Sequence, residues 1–204
     1  MVTSSLVRRF RNPWMAMALY VPLGVLIAYL SLWAHPRSFI DAVGLVAIGV
    51  FAWTLIEYGL HRFIFHWTDV KEPWRTLASG LHMAHHASAD TADLIVAPPV
   101  ASLGFGTVVY LVFALLSWNL ATAALLMDGV FVGYLFYEWV HFMAHRFHPR
   151  SRAMKYLRRY HLQHHFRHEA EQFGVTTPLW DWVFGSYRTG PVRHTAATKM
   201  GSRP

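Results

Sequence analysis

Long uncharged runs alternate with short polar blocks along this chain. Pro13 to Ala34 carries no charged residue. At 1.5 Å per residue it is long enough to cross a hydrocarbon core of about 30 Å. Arg8, Arg9 and Arg11 precede it, in the manner of a signal peptide. The apolar stretch is too long for a signal core and shows no small-x-small cleavage site, so a retained helix is expected. A second span is predicted over 38–60, with Asp41 near its start and Glu57 near its end. The polar block 61–93 follows. Leu94 to Met127 is again uncharged throughout. That run is too long for one crossing and must turn, and "SWN" at 117–119 is the expected turn. Spans three and four then cover about 94–117 and 120–145, with Pro98 and Pro99 marking the entry to the third.

Composition agrees. Hydrophobic residues make up 54% and charged residues 14%, against roughly 25% charged in soluble domains. There is no Cys, so disulfides and thiolate metal sites are excluded and any metal must take nitrogen or oxygen donors. The net charge of +7 raises nucleic-acid binding as a question, and its distribution answers it. Seventeen of the eighteen Lys and Arg fall on alternate sides of the spans that share one face, leaving Arg37 alone on the other. The positive-inside rule then puts both termini and the polar block in the cytosol. The charge is topological, and a soluble nucleic-acid binder is excluded by the run 94–127.

The cytosolic side gathers four histidine groups: His61 and His66 in "HRFIFH", His82, His85 and His86 in "HMAHH", His141 and His145 in "HFMAH", and His161, His164 and His165 in "HLQHH". On a helix, positions i, i+3 and i+4 share a face, so each HxxHH presents three imidazoles one way and HxxxH presents two. His61 and His66 are five apart and diverge by roughly 140° on a regular helix. They reach different metals, or the helix bends. Neutral imidazole is a ligand for Fe, Zn, Cu and Ni. Ten exceed the four of a structural zinc site and suit two metal ions with four or five nitrogens each. His35 and His194 read as surface residues, and His148 and His168 fall outside the spacing.

Carboxylates are few. A carboxylate di-iron bundle needs two Glu-x-x-His motifs plus two further Glu, and this chain has one, "EWVH" at 138–141. Glu57 and Glu138 are therefore expected to support the site by accepting the N–H of a ligating imidazole, or else to be helix-end charges. Asp128 lies about 20 Å along its helix from His141, an intramembrane acid with no evident partner. The expected architecture is all-α: an integral membrane bundle of four transmembrane helices, with a cytosolic histidine-rich helical cap (61–93 and 146–187) holding a dinuclear metal site. One domain covers 1–187, and 188–204 is expected to be a disordered tail.

The order HxxxxH, HxxHH, HxxxH, HxxHH resembles the fatty acid hydroxylase/sterol desaturase superfamily of membrane di-metal oxygenases. "EYGLHRFIFH", "APP", "YEWVHFMAH" and "HLQHHFRHEAEQFGVTTPLWDWVFGSY" resemble its fatty acid 2-hydroxylase branch, over roughly residues 55–187. The resemblance implies an O2-dependent hydroxylase of a fatty acyl chain or lipid, at acyl C2 in that branch, with two Fe ions on the ten His; Zn is an inert substitute in preparations. It implies that "FGVTTPLWDWVFG" closes the cap, where Asp181 holds a ligating His or anchors the loop. The branch commonly carries a cytochrome b5 domain. Only about a dozen residues precede the first span here, so electrons are expected from a separate cytochrome b5-like or ferredoxin-like donor and its reductase. The membrane is expected to be a bacterial inner membrane or the endoplasmic reticulum. Two alternatives remain: a sterol or lipid desaturase or carotenoid hydroxylase with the same metals, and a non-enzymatic membrane metal-binding protein.

Overall fold

The computed structural model describes residues 13–188 apart from 68, 70, 74, 75, 77, 78 and 90. Arg8, Arg9, Arg11, His194 and the expected tail beyond residue 188 lie outside the described residues. Four long helices form a bundle: α1 (Pro13–Ala34), α2 (Phe39–Leu60), then, after two short helices α3 (Gly80–Ala87) and α4 (Ala92–Ile95), α5 (Pro99–Ser117) and α6 (Leu120–Arg146). The cap is completed by α7 (Arg152–Phe166) and α8 (Leu179–Val183). All four long helices have the length and apolarity to cross a membrane.

The helix ends follow from local chemistry. Ser38 caps α2 by accepting from the Asp41 N–H at 3.1 Å, so Asp41 belongs to a cap. Trp118 adopts a left-handed φ of 52°, and the Asn119 side chain accepts from Thr122 N–H at 2.9 Å; the hairpin turn falls where "SWN" placed it. The third span starts later than the uncharged run suggests. Residues 92–95 form the separate α4, and α5 begins only at Pro99. Proline suits the first helical position but pushes the residue before it into extended backbone, and Pro98 has ψ 136°.

α6 is the axis of the bundle, packed on by α1, α2, α5 and α7. Glycines set its approach to α2. A Cβ on Gly49 would stand 2.0 Å from the Leu126 carbonyl oxygen, and one on Gly129 2.1 Å from that of Val46. One turn on, a Cβ on Gly133 would meet the Trp53 side chain at 2.6 Å. Small residues thus let two backbones touch, a membrane-helix packing mode that needs no hydrophobic force. Outward, α1, α2 and α5 leave large apolar side chains exposed, among them Val25, Tyr29, Phe51, Leu115 and Leu116, as a lipid-facing surface requires.

α2 continues past Leu60 into a π turn over His61–Phe65. The His66 N–H donates to the His61 carbonyl at 3.2 Å, an i to i+5 bond that widens the turn. Such π turns concentrate at functional sites. This one eases the awkward spacing of five, because the wider turn brings residues five apart closer to one face than a regular helix does.

Candidate metal centre

The ten histidines gather into two groups of five. His61, His66, His82, His86 and His164 form one; His85, His141, His145, His161 and His165 form the other. Within each group the ligand nitrogens all lie within 4.8 Å of one another. Both members of HxxxxH go to the first group and both members of HxxxH to the second. Each HxxHH is divided: in α3, His82 and His86 join the first group and His85 the second; in α7, His161 and His165 join the second and His164 the first. The expectation that three imidazoles of HxxHH point one way is therefore corrected. The i, i+4 pair stays together, and the middle histidine, about 100° round the helix from its neighbour, crosses to the other side.

The spacing of the nitrogens is the test of whether a metal fits. His82 Nε2 is 3.0 Å from both His61 Nε2 and His66 Nε2, and His66 Nε2 is 3.1 Å from His164 Nε2. In the second group His85 Nε2 lies 3.0 Å from His141 Nε2 and 3.1 Å from His145 Nε2, and His145 Nε2 lies 2.9 Å from His161 Nε2. One imidazole nitrogen carries at most one hydrogen, so these contacts cannot all be hydrogen bonds. For nitrogens about 2.1 Å from a metal, neighbours at right angles are about 3.0 Å apart and tetrahedral neighbours about 3.4 Å. The observed spacing fits ions of five or six coordination, and the residues suit metals that prefer imidazole.

Burial in the cap keeps these imidazoles neutral, the form in which imidazole can bind a metal. Burial lowers the pKa of His66 and His85 to about 4. For His164 burial is again the main cause, and its pKa falls to about 3. His86 falls to about 2, through burial and then the neighbouring His164 and His66. His82, His161 and His165 shift in the same direction for the same reasons. Neutral imidazole is the ligand.

Tautomers in the first group are set by one cap segment. His164 Nδ1 contacts the Glu171 carbonyl at 2.7 Å, and His61 Nδ1 the Phe173 carbonyl. Each Nδ1–H donated to a carbonyl leaves Nε2 with its lone pair for a metal. Between the two carbonyls stands Gln172, with a left-handed φ of 60°, an unusual backbone state for a residue with a side chain. Its N–H donates to the Ser186 carbonyl at 3.0 Å.

Two buried carboxylates hold that segment. Asp181 accepts from Phe173 N–H at 2.8 Å, Gly174 N–H at 2.7 Å and the Ser186 hydroxyl at 2.8 Å. Glu57 accepts from Val175 N–H at 2.6 Å, Thr176 N–H at 2.9 Å and the Thr176 hydroxyl at 2.5 Å. Glu138 accepts from Ala97 N–H at 3.2 Å. The expectation that Glu57 and Glu138 accept an imidazole N–H is thus replaced. Their described bonds go to loop backbone and the Thr176 hydroxyl, and those of Asp181 go to the loop it shares with Phe173, Gly174 and Ser186. Sequence reasoning missed the Glu171 and Phe173 carbonyls, which carry no side-chain signal. His35 and His148 are exposed, and His168 is buried beside Glu171, 3.6 Å away. Asp128 is buried 7% exposed on α6, away from both groups, with neither oxygen hydrogen-bonded among the described residues.

A cavity of about 260 Å³ opens beneath the histidines. His61, His82, His85 and His141, two from each group, form its roof. Its walls are mainly apolar and come from α1, α2, α5 and α6, including Trp53, Phe105, Val130 and Phe131.

Fold and site together define a four-span helical protein whose cap sets two five-imidazole groups over an apolar cavity. The chain belongs to the fatty acid hydroxylase family, whose profile matches residues 46–186. It is 36% identical over 179 residues to dihydroceramide fatty acyl 2-hydroxylase FAH2 of Arabidopsis thaliana, covering 86% of this chain and 74% of that one. It is 34% identical to ceramide very long chain fatty acid hydroxylase SCS7 of Saccharomyces cerevisiae, over 85% of this chain and 45% of that one. With the human fatty acid 2-hydroxylase it shares 35% identity, over 74% of this chain and 41% of that one. The chain thus spans less than half the length of the yeast and human relatives. Among solved structures, full-length scs7p, of which only the hydroxylase domain is visible, superimposes with a TM-score of 0.80 at 33% identity, covering 89% of this chain and 69% of that chain.

Proposed function

We propose that this chain is an O2-dependent hydroxylase of a lipid acyl chain, with two iron ions held by the ten histidines. The observation that carries the reading is the division of both HxxHH helices between two five-nitrogen groups over an apolar cavity. His61, His66, His82, His86 and His164 would hold one ion; His85, His141, His145, His161 and His165 would hold the other. The chemistry two irons supply when bound is reduction of O2 by two electrons and two protons, with one oxygen entering a C–H bond and the other leaving as water.

The protein's own part is positioning. The apolar walls take an alkyl chain and keep water from the reacting end. The Glu171 and Phe173 carbonyls orient His164 and His61, and Asp181 and Glu57 hold those carbonyls in place. The lipid-named relatives support an acyl substrate, and the 2-hydroxylases among them support C2 as the carbon attacked. The distribution of Lys and Arg supports a cytosolic cap with both termini on that side, open to a separate cytochrome b5-like or ferredoxin-like donor and its reductase.

The test is lipid mass spectrometry of cells expressing the intact chain against cells expressing His164→Ala. We expect a lipid with one added oxygen at acyl C2, absent in the variant. Loss of two hydrogens instead would move the protein to the desaturases. Equal product from the folded variant would refute the metal assignment.

A further inference from the structure

The cavity beneath the histidines ends inside the protein. On α6 its lining runs from His141 back to Met127, fourteen residues, or about 21 Å of helix. On α5 it runs from the Pro98 end down to Gly106. α5 and α6 are the two arms of the hairpin turned at Trp118, so their deepest lining residues meet: a Cβ on Gly106 would stand 3.1 Å from Met127 Cε and 3.9 Å from Phe131 Cε1. Gly106 is buried. Met127 is 4% exposed and Phe131 9%, both within the apolar core of the bundle. Protein, not lipid, closes this end.

Resting on the hydroxylase reading above, we propose that Gly106 and Met127 form a floor that sets the length of acyl chain the enzyme accepts. A zigzag of ~1.5 Å single bonds advances roughly 1.3 Å per carbon. Taken along α6, the longest run of the lining, about 21 Å, the cavity takes at most about sixteen carbons beyond the reacting one. A Cβ at position 106 would already crowd Met127 Cε, so any larger residue there pushes into the end of the cavity. Met127 is unbranched and adaptable, so the limit is a graded one.

The experiment feeds a ladder of even-chain saturated fatty acids to cells expressing the full chain, Gly106→Leu or Met127→Ala. Hydroxylated chains are measured by mass spectrometry as a fraction of the total chain of each length. The intact protein is expected to lose product steeply beyond about sixteen carbons past the hydroxylated one. Gly106→Leu is expected to shorten that limit by about three carbons, the reach of the added side chain. Met127→Ala is expected to lengthen it. Product with the same length profile in all three proteins, or a profile with no limit, overturns the floor while leaving the hydroxylase reading intact. No hydroxylated product from the intact protein overturns that reading and the floor with it. If Gly106→Leu does not accumulate in the membrane, Met127→Ala decides alone: a longer limit supports the floor and an unchanged one refutes it.

Discussion

His86 and His165 stack face to face, with ring centroids 4.0 Å apart and planes at 16°. They belong to opposite five-imidazole groups and come from different helices, α3 and α7. The stack is the seam where the two groups meet. Each ring is at once a member of its own group and a wall of the other. His86→Ala and His165→Ala are each expected to reduce bound metal below two ions per chain and to take hydroxylation to background. Elemental analysis of the purified variants against the intact protein checks the first, lipid profiling the second. A variant that keeps both ions would count against the division of the ligands given above.

Asp181 is fully buried and accepts three hydrogen bonds. Asp181→Ala leaves the Phe173 and Gly174 N–H groups without an acceptor. The expected cost is about 3 kcal/mol, from stranding two buried donors. Because the Phe173 carbonyl orients His61, metal affinity should fall as well, by roughly tenfold or more. Thermal unfolding in detergent measures the first effect, and competition with a chelator measures the second. A loss of stability with unchanged metal affinity would show that the loop does not orient the ligand.

Gly49 and Gly129 face each other across α2 and α6, where any side chain meets backbone. Gly49→Ala or Gly129→Ala should force the helices apart and lower the melting temperature of the detergent-solubilised protein. Gly44→Ala is the control. It has nothing within 4 Å of its Cβ position, and alanine is the better helix former. Equal melting temperatures for Gly49→Ala and Gly44→Ala would contradict the close crossing.

Acid should weaken the metal-free protein. An unfolded histidine titrates near 6.5. In the fold, burial holds His66 and His85 near 4 and His164 near 3. The folded state therefore binds fewer protons than the unfolded state between those values, and stability rises with pH there. The stabilisation is complete above about pH 6.5 and is lost as pH falls toward 4. The metal-free melting temperature is expected to drop steadily across that window. A flat profile would mean that the imidazoles are open to solvent.

Much of this was legible in the sequence because hydropathy and helical spacing are local signals. The runs 13–34 and 120–145 carry their own length, and "SWN" carries its own turn. The four histidine groups announced ten nitrogens on one side. The sequence could not show how they divide. A spacing of three and four defines a face, but which partner each member of HxxHH meets depends on helices packed from elsewhere in the chain. The π turn at His61–Phe65 inserts extra width into α2 that a regular 3.6-residue period does not anticipate. Glu57 looked like a supporter of His61 because it lies one turn before it. Its true partners, Val175 and Thr176, are more than a hundred residues away in the chain, a distance over which no periodicity speaks.

The left-handed turn at Gln172 makes the two halves of the centre unequal. Its neighbours' carbonyls fix His61 and His164 in one tautomer, while the Nδ1 atoms of His86 in the same half, and of His85, His141, His161 and His165 in the other, take no hydrogen bond from described residues. One half holds two rings cut in advance; the other would take its final form around its guest. Loading should then be ordered rather than simultaneous, and a half-filled protein would be a distinct species with its own spectrum, not a mixture of empty and full.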